Sequence, residues 1–229
     1  MAITTCIFDA YGTLFDVAAA ARQAASEPEF AHLAGKWPQI AGDWREKQLS
    51  YSWLRAVQGA HVDFWRLTQD GLDWALEAAG LLDDAALRNR LLALYWELSA
   101  YPEVNETLEA LRDDGRACAI LSNGAPEMLA AAVRSAGIQR MLEACLSVES
   151  VGHFKPHAAV YQMVMDRFKC APDEVLFVSS NGWDAAAAQA FGYTAAWVNR
   201  AGAPLDRLNA TPDHILSDLR DIPRLARQL

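Results

Sequence analysis

The stretch Ile3-Thr4-Thr5-Cys6-Ile7-Phe8-Asp9-Ala10-Tyr11-Gly12-Thr13 decides the fold. A mostly apolar run ends abruptly in a carboxylate, and Gly12 and Thr13 follow as turn formers. Such a run reads as a strand buried on both faces, because helices covering a parallel sheet leave no polar face to alternate with. Four more runs of the same character follow: Ala117–Leu121, Cys145–Val148, Val175–Ser179 and Thr194–Val198. Helical patterns separate them at Pro102–Asp114, Ala125–Ala136, Ala158–Phe168 and Ala185–Phe191. Gly115, Gly137 and Gly192 stand where C-terminal capping glycines belong, and a weak helix, Ile222–Gln228, closes the chain. This alternation predicts an α/β fold with a doubly wound parallel sheet.

Residues 17–100 differ. They hold no convincing strand and are rich in Ala, Leu, Trp and charge. Leu49, Trp53 and Val57 recur at helical spacing, as do Leu72, Ala75, Leu76 and Ala79. The expected organisation is an α/β core of residues 1–16 and 101–229, with an all-helical cap at 17–100 inserted after the first strand. A cap there overhangs the carboxyl end of that strand, where open α/β sheets bind ligands.

A chain of 229 residues with 52% hydrophobic and 21% charged residues can bury a core without disulfide or metal staples. Its net charge of −9 argues against nucleic acid as a partner. Cys6, Cys118, Cys145 and Cys170 form no C-x-x-C pair, and Cys6 and Cys118 read as small buried hydrophobes, which fits a reducing cytoplasm. Met1–Phe8 is too short for a secretory leader, and no apolar stretch reaches membrane-spanning length. The histidines show no metal-ligand spacing.

Polar groups gather where the strands end. Asp9 follows the first strand and Ser122-Asn123-Gly124 the second. Lys155 lies a few residues beyond the third, and Ser179-Ser180-Asn181-Gly182-Trp183-Asp184 follows the fourth. Each alone is satisfied by a turn, a cap or a solvated surface position. Together they fall on one edge of one parallel sheet, and there they can form a single site of two carboxylates, an ammonium and several neutral donors.

These segments resemble the four motifs of the haloacid dehalogenase superfamily: Phe8-Asp9-Ala10-Tyr11-Gly12-Thr13-Leu14 the nucleophile motif, Ser122-Asn123-Gly124 the second, Phe154-Lys155-Pro156 the third and Ser179–Asp184 the fourth. The resemblance spans nearly the whole chain. Phosphatases of that superfamily carry Asp-x-Asp in the first motif and further carboxylates in the fourth. Here Tyr11 replaces the second Asp and Asp184 is the one carboxylate of the fourth motif, a set that suits a hard divalent cation poorly. The pattern is similar to the L-2-haloacid dehalogenases, as is Trp44–Arg55 in the cap. A Mg²⁺-dependent phosphatase, a defluorinating subclass and a carboxylate-binding protein without catalysis are the alternatives.

The resemblance implies metal-free hydrolysis of short L-2-haloacids with no cofactor. Asp9 would attack the halogen-bearing carbon and form an ester, which water would cleave to leave a D-2-hydroxy acid. It implies that Lys155 keeps Asp9 ionised, that main-chain N–H groups near Tyr11 and Thr13, with Ser122, bind the substrate carboxylate, and that Arg45 and Asn123 receive the halide ion. Asp184, Ser179 and Asn181 would serve the hydrolytic water, with Tyr161 bonded to Lys155 or Asp184. Tyr11, Leu49, Phe64 and Trp183 would wall the alkyl group, though core packing accounts for large apolar residues equally well. The departures are Glu46, where relatives often have Gln, and His157, where they often have an acid. Glu46 would weaken anion binding if it pointed inward. Relatives are commonly homodimers, and Trp65, Leu72 and Trp74 are candidates for an interface.

Overall fold

The computed structural model describes residues 2–229. The chain enters a sheet with β1 (Thr5–Phe8) and leaves it for four helices, α1 (Ala19–Ser26), α2 (Trp37–Gln58), α3 (Phe64–Ala78) and α4 (Ala85–Tyr95). It returns through α5 (Val104–Asp113), β2 (Ala117–Ser122), α6 (Pro126–Ser135), β3 (Ala144–Ser147) and α7 (Ala158–Phe168). The last elements are β4 (Val175–Ser179), α8 (Gly182–Phe191), β5 (Thr194–Val198), β6 (His214–Leu216) and α9 (Ile222–Gln228).

The sheet is all parallel, in the order β3-β2-β1-β4-β5-β6. β1 sits between β2 and β4, with Phe8 level with Ile120 on one side and Val178 on the other. The chain winds outward from β1 through β2 to β3, then crosses back to β4 and winds the other way. That reversal opens a crevice at the carboxyl ends of β1 and β4. Every residue of β1 and β4 is buried, as two covered faces require.

The α/β class and the helical insert are as the alternation predicts. Two details differ. β6 was not anticipated: it is a three-residue edge strand whose Ile215 is exposed, so no buried run marks it. In α2 the buried face is not Leu49-Trp53-Val57 but Ile40, Trp44, Gln48 and Ser52. Two polar residues can face inward there because their partners are built in. The Gln48 amide donates to the Thr68 hydroxyl at 2.8 Å and to the Tyr95 hydroxyl at 3.0 Å, and the Trp44 indole donates to the Thr68 carbonyl at 2.7 Å. Buried polar groups are tolerated when satisfied in this way. Val57 points to solvent, while Leu49 and Trp53 turn toward the sheet edge.

The helices α1–α4 are tied to the sheet by two connections that run side by side. Asp16 N–H donates to the Ser99 carbonyl and Tyr101 N–H to the Leu14 carbonyl, both at 2.9 Å. A second tie lies opposite. Glu149, just past β3, accepts from the Phe64 N–H at 3.1 Å and pairs with His61 at 2.9 Å. The cap is thus held over the carboxyl edge from both sides. No helix is long and apolar enough to cross a membrane among the described residues.

Candidate active site

Asp9 is the first residue beyond β1, and its N–H still bonds to the Val178 carbonyl at 2.9 Å. Its carboxylate therefore starts from a fixed backbone. One oxygen, Oδ1, accepts from the Lys155 ammonium at 3.3 Å; the other, Oδ2, accepts from the Thr13 hydroxyl and from the Asn181 amide, both at 3.0 Å. The turn that brings Thr13 back runs through Gly12 at φ +90°, a conformation side chains rarely adopt. A Cβ there would stand 3.0 Å from the Ser180 hydroxyl oxygen.

Lys155 is 1% exposed, and its ammonium joins Asp9 to Asp184 at 2.8 Å. Asp184, in the first turn of α8, is fully buried and takes a second bond from the Tyr161 hydroxyl of α7 at 2.8 Å. A lysine buried this deeply survives only if its charge is matched. Burial alone would lower the Lys155 ammonium, but the charges of Asp184 and Asp9 outweigh it and hold it above the ordinary lysine value. Burial pushes the Asp184 carboxyl above the usual carboxylate range, against the pull of Lys155. Burial, then the charge of Asp184, keeps the Tyr161 proton in place.

Above this triad lies a chamber lined by Asp9, Tyr11, Ser122, Asn123, Lys155, Asn181 and Trp183 from the sheet edge and by Arg45, Leu49 and Phe64 from the cap. Its free volume is about 10 Å³, room for a single water. The Arg45 guanidinium reaches down from α2 to donate to the Tyr11 carbonyl at 3.0 Å and is steadied by Gln48 at 2.9 Å. The Lys155 N–H donates to Asn123 Oδ1 at 2.9 Å, so the Asn123 NH₂ faces the chamber as a donor. The Ser122 hydroxyl oxygen accepts from the Gly124 N–H at 3.0 Å, leaving its own proton to give. Beside the Asp9 carboxylate the chamber thus presents donors from Arg45, Asn123 and Ser122, as an anionic ligand requires.

A search against family profiles matches residues 3–192 to a haloacid dehalogenase-like hydrolase. The chain is 44% identical over 227 residues to (S)-2-haloacid dehalogenase 1 of Pseudomonas sp. (strain CBS-3), covering 99% of this chain and 98% of that protein. The chain belongs to the haloacid dehalogenase-like hydrolases, among the L-2-haloacid dehalogenases. It is also 40% identical to (S)-2-haloacid dehalogenase 4A of Burkholderia cepacia, over 99% of this chain and 96% of that one. Among solved structures, the L-2-haloacid dehalogenase of Xanthobacter autotrophicus with chloropropionic acid covalently bound superposes with a TM-score of 0.88. That pair is 36% identical, with 99% of each chain covered.

Within this family frame, the residues named from sequence fall in three groups. Asp9, Tyr11, Arg45, Leu49, Phe64, Ser122, Asn123, Lys155, Asn181 and Trp183 line the chamber. Thr13, Tyr161 and Asp184 touch it through Asp9 or Lys155. Ser179 is fully buried, and its hydroxyl accepts from the Asn181 N–H at 3.1 Å, so it shapes the turn that carries Asn181. Glu46 is exposed, away from the chamber. His157 caps α7, its Nδ1 accepting from the Ala159 N–H at 3.1 Å, a task an acid also performs.

Sequence reasoning missed several supporting groups. Gln48 steadies Arg45, and Glu149 fixes the backbone of Phe64. Ser180 N–H donates to the Thr13 hydroxyl oxygen at 2.8 Å, which aims the hydroxyl proton at Asp9. Arg200 donates to the Thr13 carbonyl at 3.0 Å and pairs with Glu103 at 2.7 Å. Glu149 carried the one usable signal, a carboxylate just past a strand at the same sheet edge. Among the described residues no group of three or more His, Cys, Asp or Glu side chains is placed to hold a metal ion.

Proposed function

We infer that the chain hydrolyses short L-2-haloacids to D-2-hydroxy acids through an ester on Asp9. The observation that carries this is the placement of Asp9: a carboxylate held by a buried ammonium, under a closed chamber whose free groups are donors. In the first step an Asp9 oxygen attacks C2, the carbon–halogen bond breaks, and the halide leaves with the electron pair, inverting the centre. Lys155, Thr13 and Asn181 hold the carboxylate for attack. Arg45 and Asn123 receive the halide, an interaction that grows as charge develops and so lowers the barrier. Ser122 and the main-chain N–H groups beyond Asp9 hold the substrate carboxylate, and Leu49, Phe64 and Trp183 wall its alkyl side.

In the second step water attacks the Asp9 carboxyl carbon, the acyl–oxygen bond breaks, and the hydroxy acid departs with C2 untouched. Asp184 takes the proton of that water and passes it to the alkoxide oxygen as it leaves, and the proton left on the Asp9 carboxyl goes to solvent. Burial raises its carboxyl toward the range where a general base works well. Tyr161 and Lys155 fix its two oxygens.

The test is halide release from L-2-chloropropionate and from its D-enantiomer in excess chelator, with chirality of the lactate measured. Release from the L-form alone, giving D-lactate, and a mass increment on the Asp9 peptide in single turnover support the reading. Phosphate release from phosphomonoesters that depends on Mg²⁺, with no halide release, would sink it.

The same reading extends to assembly. A groove of about 550 Å³ lies on the face of α2 and α3 and is lined by Leu54 and Trp74 among others, away from Asp9. Leu54, Val57 and Trp74 are exposed there, whereas Leu72 is buried in the cap and Trp65 partly so. We propose that this face pairs two copies. Light scattering of the wild type and of Leu54→Glu tests it, and a monomeric wild type refutes it.

A further inference from the structure

The Tyr11 hydroxyl has no part in the steps above. Tyr11 is 2% exposed. Its ring stacks on Tyr95 with centroids 5.6 Å apart and leans on Phe15 and Phe64 at 6.2 Å each. The hydroxyl itself is buried with no hydrogen-bond partner. The neighbouring phenol offers nothing, since the Tyr95 hydroxyl is engaged with both the amide nitrogen and the amide oxygen of Gln48. A buried polar group left unpaired is costly and calls for an explanation.

The surroundings supply one. A Cβ on Gly124 would stand 2.6 Å from Tyr11 Cε2 and 3.2 Å from its hydroxyl oxygen. The phenol therefore lies against the Ser122–Gly124 turn, and glycine is what lets it approach so closely. That turn already presents two donors to the chamber, the Ser122 hydroxyl and the Asn123 NH₂, and Tyr11 lines the same chamber. Three donors therefore meet at one turn. Burial keeps the phenol protonated, so it stays a donor at every working pH.

We propose that the Tyr11 hydroxyl donates a hydrogen bond to the anionic part of the bound ligand, beside Ser122 and Asn123, and is not merely an apolar wall. The anion is either the substrate carboxylate or the departing halide. The proposal rests on the dehalogenase reading.

Tyr11→Phe keeps the ring and removes only the donor. Its kcat and KM for L-2-chloropropionate are compared with those of the wild type, together with inhibition by propionate and by bromide and the melting temperature. The expected result is a fall in kcat/KM of about ten- to a hundredfold, the range for a hydrogen bond to a charged group. Weaker inhibition by propionate places the hydroxyl on the carboxylate; weaker inhibition by bromide places it on the halide. A variant with kcat/KM and both inhibition constants within about twofold of wild type, and a higher melting temperature, overturns the proposal, since the hydroxyl would then be only a packing defect. Should the wild type release no halide, the dehalogenase reading fails separately. The proposal is then decided by thermal shift with propionate and bromide: stabilisation of the wild type but not of Tyr11→Phe supports it, and equal shifts, or none, overturn it.

Discussion

Replacing Lys155 by Met removes the cation that lies between two buried carboxylates. Asp9 and Asp184 each bond to the same nitrogen, at 3.3 and 2.8 Å, so their bonded oxygens can be no more than about 6 Å apart. Two unit charges at that spacing repel by about 3 kcal/mol at an effective dielectric of about 20, which is about two pK units. Without the ammonium the pair takes up a proton and shares it. If Asp9 carries it, the nucleophile is lost and no ester forms. If Asp184 carries it, the ester forms but the base for its hydrolysis is gone, and ester accumulates. Either way the acid limb of the rate profile for steady halide release moves up by about two pH units, so that the rate on that limb falls by about a hundredfold. The protein itself loses on the order of 3 kcal/mol, as when one partner of a buried ion pair is removed, so circular dichroism at the assay temperature must show it folded. The assay is halide release from pH 5 to 10, with mass spectrometry of the Asp9 peptide at each pH. A folded variant that keeps a tenth of the wild-type rate with an unshifted profile would refute the assignment of Lys155.

Gly124→Ala places a Cβ 2.6 Å from Tyr11 Cε2 and 3.1 Å from Leu129 Cδ2, so the Tyr11 ring must move; a loss of about 1–3 kcal/mol in denaturant titration is expected, with a higher KM. Glu149→Ala leaves the Phe64 N–H and His61 without their acceptor, costs about 1–3 kcal/mol, and raises KM more than it lowers kcat because Phe64 lines the chamber; unchanged KM and melting temperature would remove Glu149 from the cap tie. A thiol reagent at pH 8 should modify Cys145 first, while Cys6 and Cys118 react only on unfolding, since both are buried and Cys145 is exposed. Burial pushes the Cys118 thiol up to about 12. The unfolded thiol ionises near its ordinary value of 9 while the folded one stays neutral, so this contribution is present below pH 9 and fades as pH rises toward 12. Denaturation midpoints from pH 8 to 11 that fall less in Cys118→Ala than in the wild type would bear this out.

The sheet was legible because parallel strands covered on both faces are apolar throughout, and β1, β2, β4 and β5 each announce themselves by a run. β6 did not, because its middle residue faces solvent and only three residues pair. The cap was legible as helical but not in its orientation. Apolar spacing picked Leu49-Trp53-Val57, whereas α2 buries Gln48 and Ser52 through hydrogen bonds that no hydropathy pattern records.

The same distinction separates the two halves of the site. Asp9, Ser122, Asn123, Asn181 and Asp184 are delivered by strand ends, so a local pattern of apolar run and polar tail is enough to find them. Arg45, Leu49 and Phe64 reach the chamber only because the cap is docked, and that docking depends on Glu149 and on the paired connections at Leu14–Asp16 and Ser99–Tyr101, contacts between distant segments. Docking also limits access. A free volume of about 10 Å³ leaves room for one water, so the chamber must widen before a haloacid fits. Cap and sheet edge are joined by polar bonds, Arg45 to the Tyr11 carbonyl and His61 and Phe64 to Glu149, and by aromatic contacts of Tyr11 with Tyr95 and Phe64 and of Trp53 with Trp183. On the proposed mechanism Arg45 would thus serve both as a tie between cap and sheet edge and as the group that meets the halide. Closing over substrate would then assemble the halide site in the same movement that expels water from it.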